Sequence, residues 1–137
     1  MASILKVDTL TGVTTAGSIS VTGEGNSTTT NLQQGLGKAW INFQQKSSNV
    51  VRDSFNHSSF TDNGTGTMTF TITSVMANIN YCHSGMAGEG GNSQECLSQA
   101  YTQTAPTTAA AQYVNAYANT SLEDPSLACR VLHGDLA

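Results

Sequence analysis

The feature that most constrains the fold is a run of seven residues, 67–73, in which threonine alternates with a large apolar residue. Successive side chains of a β-strand point to opposite faces, so a period of two is typical of a strand with one buried face. The pattern predicts that Met68, Phe70 and Ile72 point into a core and that the threonines point outward. This run is therefore predicted to be a half-buried antiparallel strand.

The residues before this run predict its partner strand and the turn between the two. The segment 62–64 reads Asp-Asn-Gly, and Gly66 follows after one threonine. Asn, Asp and Gly tolerate the positive φ angles that tight hairpin turns require, and a second glycine permits a longer or bulged loop. Residues 56–73 are therefore predicted to form a β-hairpin.

Similar strand signals, separated by turn-rich segments, recur along the rest of the chain. Strands are predicted over residues 38–45, 80–87, 94–102, 111–118 and 127–133. The segment 111–118 is rich in alanine, the best helix former, so a short helix is the alternative there, but the strands around it favour a strand. This regular spacing predicts an all-β fold, an antiparallel β-sandwich of the jelly-roll-like type.

Aromatic residues supply the candidate core anchors of this sandwich. The first strand contains the single tryptophan of the chain, Trp40, followed by Phe43. Alternation places Trp40 and Asn42 on one face of the strand and Ile41 and Phe43 on the other. Because aromatic side chains carry large apolar surfaces, the predicted core anchors are Trp40, Phe43 and Phe70.

The first 37 residues are predicted to form an extended N-terminal β arm, and residues 38–137 the sandwich domain. The arm contains two strand-like pieces, at 4–9 and 18–22, and one helical turn that starts after Thr30 or Asn31 and ends at Gly35 or Gly37. Two short strands are marginal alone in water, so they need a body or a neighbouring chain to bury against. The arm is therefore predicted to serve anchoring or oligomerisation through its aliphatic residues Ile4, Leu5, Val7, Leu10, Val13, Ile19 and Val21.

The charge content argues for an assembly subunit and against several other classes. Charged residues make up 10% of the chain, and the formal net charge is −4. An ordinary soluble domain has about 25% charged residues. The sequence contains no cluster of basic residues, so it does not predict a nucleic-acid partner. No apolar run approaches the roughly 20 residues that span a bilayer, and no signal-peptide pattern is evident, so we expect synthesis in a cytoplasm without export by the general secretory route. A neutral polar surface has little charge repulsion and favours packing against other proteins.

The sequence offers no set of residues that predicts catalysis, a cofactor or a metal site. Asp53, Ser54 and His57 include the residue types of a catalytic triad, but groups so close along one strand cannot take up its geometry. The three cysteines, 82, 96 and 129, match no metal-binding spacing. They are expected to be reduced thiols, with one internal disulfide as the alternative. We therefore predict that the protein is not an enzyme.

Two loops and a set of tyrosines are the candidate contact sites for partners. The glycine-rich turn after the predicted strand 80–87 lacks the residues that hold a phosphate, and a projecting glycine loop suits contact with a receptor or a neighbouring subunit. The candidate loop residues are Gly88, Gly90, Asn92 and Pro106. The four tyrosines could form a stacking surface for sugars, which would indicate a carbohydrate-binding module, or they could pack in the core or at a trimer interface; these are Tyr81, Tyr101, Tyr113 and Tyr117.

Three segments in the first half of the chain carry a resemblance to a known family. They are S-x-L-K-V-D-T at residues 3–9, G-L-x-K-A-W-x-N-F at 35–43, and D-S-F-N-x-S-S-x-T-D-N-G-T-G at 53–66. With them, the chain resembles small virion proteins of marine tailed bacteriophages that are labelled tail-fibre, fibre-like or structural proteins. The resemblance covers about residues 1–80.

The resemblance implies a structural subunit of a virion, made in the bacterial host cytoplasm. It implies a homotrimer with an N-terminal anchor and a β-sandwich head, whose partners are its own copies and other capsid or tail proteins. Two roles stay open at this point. One is a short fibre or capsid decoration subunit, and the other is a tail-fibre head that binds a glycan or protein of the host surface.

Overall fold

The computed structural model describes residues 4–13, 19–22, 29–88, 95–100, 105–117 and 121–137. The chain divides into two compact units, Met1–Leu36 and Gly37–Ala137. Each unit is described by itself.

The first unit contains a small antiparallel pair of strands and one helical turn. Strand β1 (Ser20–Thr22) pairs with β2 (Thr29–Asn31), and the helical turn α1 (Leu32–Gly35) follows directly. The Leu32 N–H donates a hydrogen bond of 2.9 Å to the Ile19 carbonyl, which joins the start of α1 to the start of β1. The predicted helical turn between Asn31 and Gly35 is therefore confirmed.

Residues 4–13 form no strand, so the strand predicted over 4–9 is wrong. The alternation of side chains is present there, but a strand also needs a partner to accept and donate its backbone hydrogen bonds. In the described residues β1 pairs with β2, and residues 4–13 pair with neither.

The second unit is a β-domain. Its strands in the described residues are β3 (Gly37–Gln44), β4 (Val50–Phe55), β5 (His57–Gly64), β6 (Thr67–Ile72), β7 (Cys82–Gly88), β8 (Glu95–Ala100), β9 (Ala110–Tyr117) and β10 (Leu127–His133). They form one sheet in the order β4-β3-β10-β7-β8-β9-β6-β5, and every described pairing is antiparallel. The predicted strands are confirmed, including the alanine-rich segment that had a helix as its alternative.

This sheet is folded over on itself, which makes the domain sandwich-like. Strands β4 and β5 are the two ends of the strand order, yet Asn56 alone separates them along the chain. The ring of Phe43 in β3 lies 5.1 Å from that of Phe60 in β5, and the His83 ring in β7 lies 5.4 Å from that of Tyr113 in β9. The β3-β10-β7 half thus faces the β9-β6-β5 half, and the predicted all-β sandwich fold is confirmed.

The core lies between these two halves. It comprises Ala39, Ile41, Phe43, Met68, Phe70, Ile72, Met76, Ala111, Tyr113, Ala128 and Leu132. Two predicted core anchors, Phe43 and Phe70, are fully buried there. Trp40 is not in the core, and 37% of its surface is exposed. It neighbours Ile41 and Phe43 on one strand but faces the opposite side of the sheet, since side chains alternate.

The hairpin turn between β5 and β6 uses the predicted glycines. Gly64 and Gly66 have φ angles of 122° and 65°. A side chain would be strained at both positions, and a Cβ at Gly66 would also approach the Glu123 nitrogen to 2.7 Å. The Gly66 N–H donates a 2.6 Å hydrogen bond to the Asp124 carboxylate, which joins this turn to the segment before β10.

Asn56 forms the corner at which the chain passes from one half of the sandwich to the other. Its φ is 53°, a left-handed conformation that Asn tolerates better than most residues. Its amide nitrogen donates to the carbonyls of Lys38 (2.9 Å) and Ser74 (3.0 Å), and its Oδ1 accepts from the Ser74 N–H (2.7 Å). This one side chain therefore ties β3 and the segment after β6 to the corner.

We expect Asn56→Ala to lower the free energy of unfolding by about 3 kcal/mol. The change puts a Cβ without hydrogen-bonding capacity in the left-handed region, at about 1–2 kcal/mol, and removes three hydrogen bonds of about 0.5–1.5 kcal/mol each, part of which water replaces. Urea unfolding followed by tryptophan fluorescence measures the effect.

Asn56→Gly is the matched variant, because glycine accepts the φ angle and lacks only the hydrogen bonds. It should retain at least about 1 kcal/mol more stability than Asn56→Ala. Equal stability of the two variants would show that the backbone angle contributes nothing at this corner.

Candidate assembly surface

The aliphatic residues of the predicted arm are largely exposed. Within residues 4–13, the exposed fraction runs from 55% for Val7 to 93% for Val13. Val21 in β1 is 51% exposed, and Ile19 is partly buried. Exposed aliphatic residues in such density are unusual for a free domain and typical of a segment that another surface covers.

The domain has its own apolar surface on the outer face of β3, β10 and β7. The register places Trp40 opposite Val131 and Val131 opposite Ser84; one row along, Cys129 lies opposite Met86. These outward side chains line an open cleft of about 560 Å³, named here the outer cleft; its lining residues are Trp40, Ile41, Asn42, Ser84, Gly85, Met86, Cys129, Arg130 and Val131. The volume falls in the range of about 300–1,000 Å³ that is typical of binding sites.

Apolar residues continue from the outer cleft onto the neighbouring edge strand. Phe55 of β4 pairs with Trp40 and is 53% exposed, and Met86 on the far side is 68% exposed. The outer cleft and Phe55 together form a band that crosses four strands. Sequence reasoning missed this band because it assigned Trp40 to the core.

Two charged residues of β4 form one rim of the outer cleft. Asp53 pairs with Asn42, a lining residue, and the Arg52 Nη2 donates to Gln44 Oε1 (3.0 Å) and to the Ser126 carbonyl (2.8 Å). Both acceptors of Arg52 among the described residues are neutral. The rim thus offers one positive and one negative charge beside an apolar surface.

A buried cation lies on the inner side of the same strands. Arg130 is 3% exposed; its Nη2 donates to Asn115 Oδ1 (2.9 Å), and its guanidinium lies 4.9 Å from the centre of the Tyr113 ring. Removal from water lowers the pKa of Arg130 to about 10. Burial raises the pKa of Tyr113 well above its ordinary value, and the nearby Tyr81 adds to this. The contacts of Arg130 link the two halves of the sandwich, which is a structural role.

Two histidines are poorly placed to carry a proton. His57 stacks on Phe70 with ring centres 5.1 Å apart, and its buried Nε2 has no hydrogen-bond partner among the described residues. Burial lowers the pKa of His57. Burial, together with the positive charge of Arg130, lowers the pKa of His83.

We therefore expect the protein to lose stability as the pH falls below the ordinary histidine pKa of 6.5. Both histidines have a lower pKa in the folded state, so the unfolded chain takes up protons first and acid favours unfolding. The urea concentration at the unfolding midpoint should decrease as the pH is lowered from about 7.5 to about 5, the range in which histidine changes charge. His57→Phe keeps the ring stack and removes one titrating group, so its midpoint should fall less steeply. A wild-type midpoint that does not change over this range would contradict the prediction.

The predicted partner loops are described only in part. Gly88 ends β7 and is partly buried, and Pro106 is exposed in the segment before β9. Gly90 and Asn92 lie outside the described residues. The contact site at these loops therefore stays a prediction.

The tyrosines give little support to a sugar-stacking surface. Tyr113 is 1% exposed and belongs to the core. Tyr81 is partly buried, and its hydroxyl donates to the Thr107 carbonyl at 3.0 Å. Tyr101 and the side chain of Tyr117 lie outside the described part of the structure.

The residues examined for catalysis and metal binding have other contacts. The Asp53 Oδ1 accepts the backbone N–H of Ser54, and His57 stacks on Phe70. Cys82 and Cys129 are free thiols. Within the described residues, no three His, Cys, Asp or Glu side chains are grouped to hold a metal ion. No helix there has the length and apolar character needed to cross a membrane.

Comparison with known proteins places the chain in no family. No family model matches it, and no curated protein or solved structure shows a significant match.

Proposed function

We propose that this protein is a non-enzymatic structural subunit of a bacteriophage virion, a short homotrimeric fibre or capsid decoration subunit anchored by its N-terminal arm. The observation that carries the proposal is the pair of exposed apolar surfaces, the residues of 4–13 and the band around the outer cleft. Free monomers seldom expose large contiguous apolar patches, and such patches mark interaction sites.

The composition supports the same proposal. With 10% charged residues, the chain has little electrostatic repulsion to oppose close packing of many copies. The sequence resemblance to small virion proteins supplies the class of assembly. Two of its three motifs cover β3 and the β4-Asn56-β5 corner, so they coincide with the framework of the sandwich.

Immunogold labelling of purified virus particles tests this proposal. An antibody raised against the folded full-length chain is applied to intact particles from the lysate in which the protein is made. Gold over the head supports a decoration or head-fibre subunit. Gold confined to the tail tip supports the alternative, a tail-fibre head that binds a host glycan or protein. If the lysate contains the free protein but the purified particles carry neither gold nor the protein, a virion role is overturned.

A further inference from the structure

The outer cleft has the shape and polarity of a receptor for an apolar chain segment. Its outward side chains come from three strands paired in register, and the open groove of about 560 Å³ is bordered by Phe55, which is 53% exposed. Arg130, the one charged residue among the described residues that line the cleft, directs its guanidinium to Tyr113 and Asn115 on the inner side. The groove therefore presents an uncharged surface to its occupant.

A segment of matching character exists in the chain itself. Residues 4–10 carry four aliphatic side chains: Ile4, Leu5 and Leu10 are 79%, 80% and 56% exposed, and Val7 is 55% exposed. Within the described residues, the segment forms no strand. In an extended segment Leu5 and Val7 share one side, and Lys6 and Asp8 share the other.

The charges of the segment complement those on the rim of the outer cleft. Lys6 is positive and Asp8 is negative, and the rim carries Asp53 and Arg52 on adjacent residues of β4. A segment that crosses the outer face with Leu5 and Val7 in the cleft has Lys6 and Asp8 on its other side. From there the long side chains of Lys6 and Arg52 can form ion pairs with Asp53 and Asp8. Paired opposite charges fix the register of such a contact more than they add to its affinity.

We propose that the outer cleft binds residues 4–10 of a second copy of this chain. Around a closed ring of copies, each chain gives one segment and receives one, so apolar surfaces are covered on every subunit. This inference rests on the proposed oligomeric function and names the surface that receives the arm.

Disulfide trapping tests the contact directly, because Cys129 already lines the cleft. The full-length chain with Val7→Cys, in which Cys82 and Cys96 are serine, is oxidised and run on a non-reducing gel. A bound arm raises the effective thiol concentration from micromolar to about millimolar, so covalent oligomers should form at least about a hundredfold faster than from free chains. Val21→Cys in the same background is the matched control, since Val21 is exposed but lies outside the proposed contact.

Two further variants separate the proposed contact from a random collision. Adding Cys129→Ser should abolish the fast cross-link and leave only the slow rate expected of colliding free chains. Lys6→Asp should slow cross-linking, and Asp53→Lys added to it should restore the rate.

The native mass of the unmodified chain distinguishes failure of this inference from failure of the proposed function. Oligomers by native mass with no faster trapping for Val7→Cys than for Val21→Cys would show that the arm binds elsewhere, and the structural role would stand. A monomer at every concentration, with no trapping, would overturn both.

Discussion

Gly85→Ala should destabilise the domain by about 3 kcal/mol, at the upper end of the cost of overpacking a well-packed site. Gly85 lies opposite Arg130 in the β7-β10 pair. A Cβ at position 85 would overlap the Cys129 carbonyl oxygen and approach Arg130 Nη1 to 2.6 Å and Cδ to 2.8 Å. The two strands would have to separate or the buried guanidinium would have to move, and either change breaks central contacts of the sheet.

Gly88→Ala in the same strand is the control. Apart from its chain neighbours, no described residue has an atom within 4 Å of a Cβ at Gly88. Its free energy of unfolding should change by less than about 0.5 kcal/mol, as for an ordinary surface substitution. Urea midpoints of the two variants measure the difference. Two equally stable variants would contradict the close packing of β7 on β10.

Arg130→Ala should also cost about 3 kcal/mol, whereas Arg130→Met should stay within about 1 kcal/mol of the wild type or exceed it. Alanine leaves a cavity beside Tyr113 and removes the hydrogen bond to Asn115 Oδ1. Methionine fills the same space with an unbranched apolar chain. It also removes a cation whose pKa is lowered to about 10 because burial disfavours its charge.

The comparison of these two variants decides what the buried guanidinium does. If Arg130→Met is as unstable as Arg130→Ala, the charge and its hydrogen bond hold the two halves together. If Arg130→Met is as stable as the wild type, the volume of the side chain is what the site requires. Thermal or urea unfolding of the purified variants provides the measurement.

Alternation along the chain was sufficient to predict most of the strands. It identified β6 and placed Met68, Phe70 and Ile72 in the core, and it gave the bounds of β10. Such local patterns work because a half-buried strand must repeat its polarity every two residues. They also predicted the sandwich class, since many short strands without long helices have few other ways to bury a core.

The position of Trp40 shows what alternation alone cannot decide. Trp40 and Phe43 lie on opposite faces of β3, so they cannot both belong to a core that covers one face. The partners decide which face is buried: Phe43 meets Phe60 across the core, and Trp40 meets Phe55 and Val131 on the outside. Those pairings depend on register between strands distant in the sequence.

The buried arginine was missed for a related reason. Ala128, Arg130 and Leu132 share one face of β10, and all three are buried. The alternation was visible, but a charged residue is rarely buried without a specific partner. That partner, Tyr113 with Asn115, is on β9 and could not be inferred from β10 alone.

The exposed arm and the outer cleft are the basis of the central claim, that this chain works as a subunit of an assembly. The most direct test is the native mass of the purified full-length chain by sedimentation equilibrium or native mass spectrometry. The account predicts three times the 14.3 kDa of one chain, and loss of that species when Val7 and Leu5 are replaced by aspartate. A mass of 14.3 kDa at every concentration would contradict it.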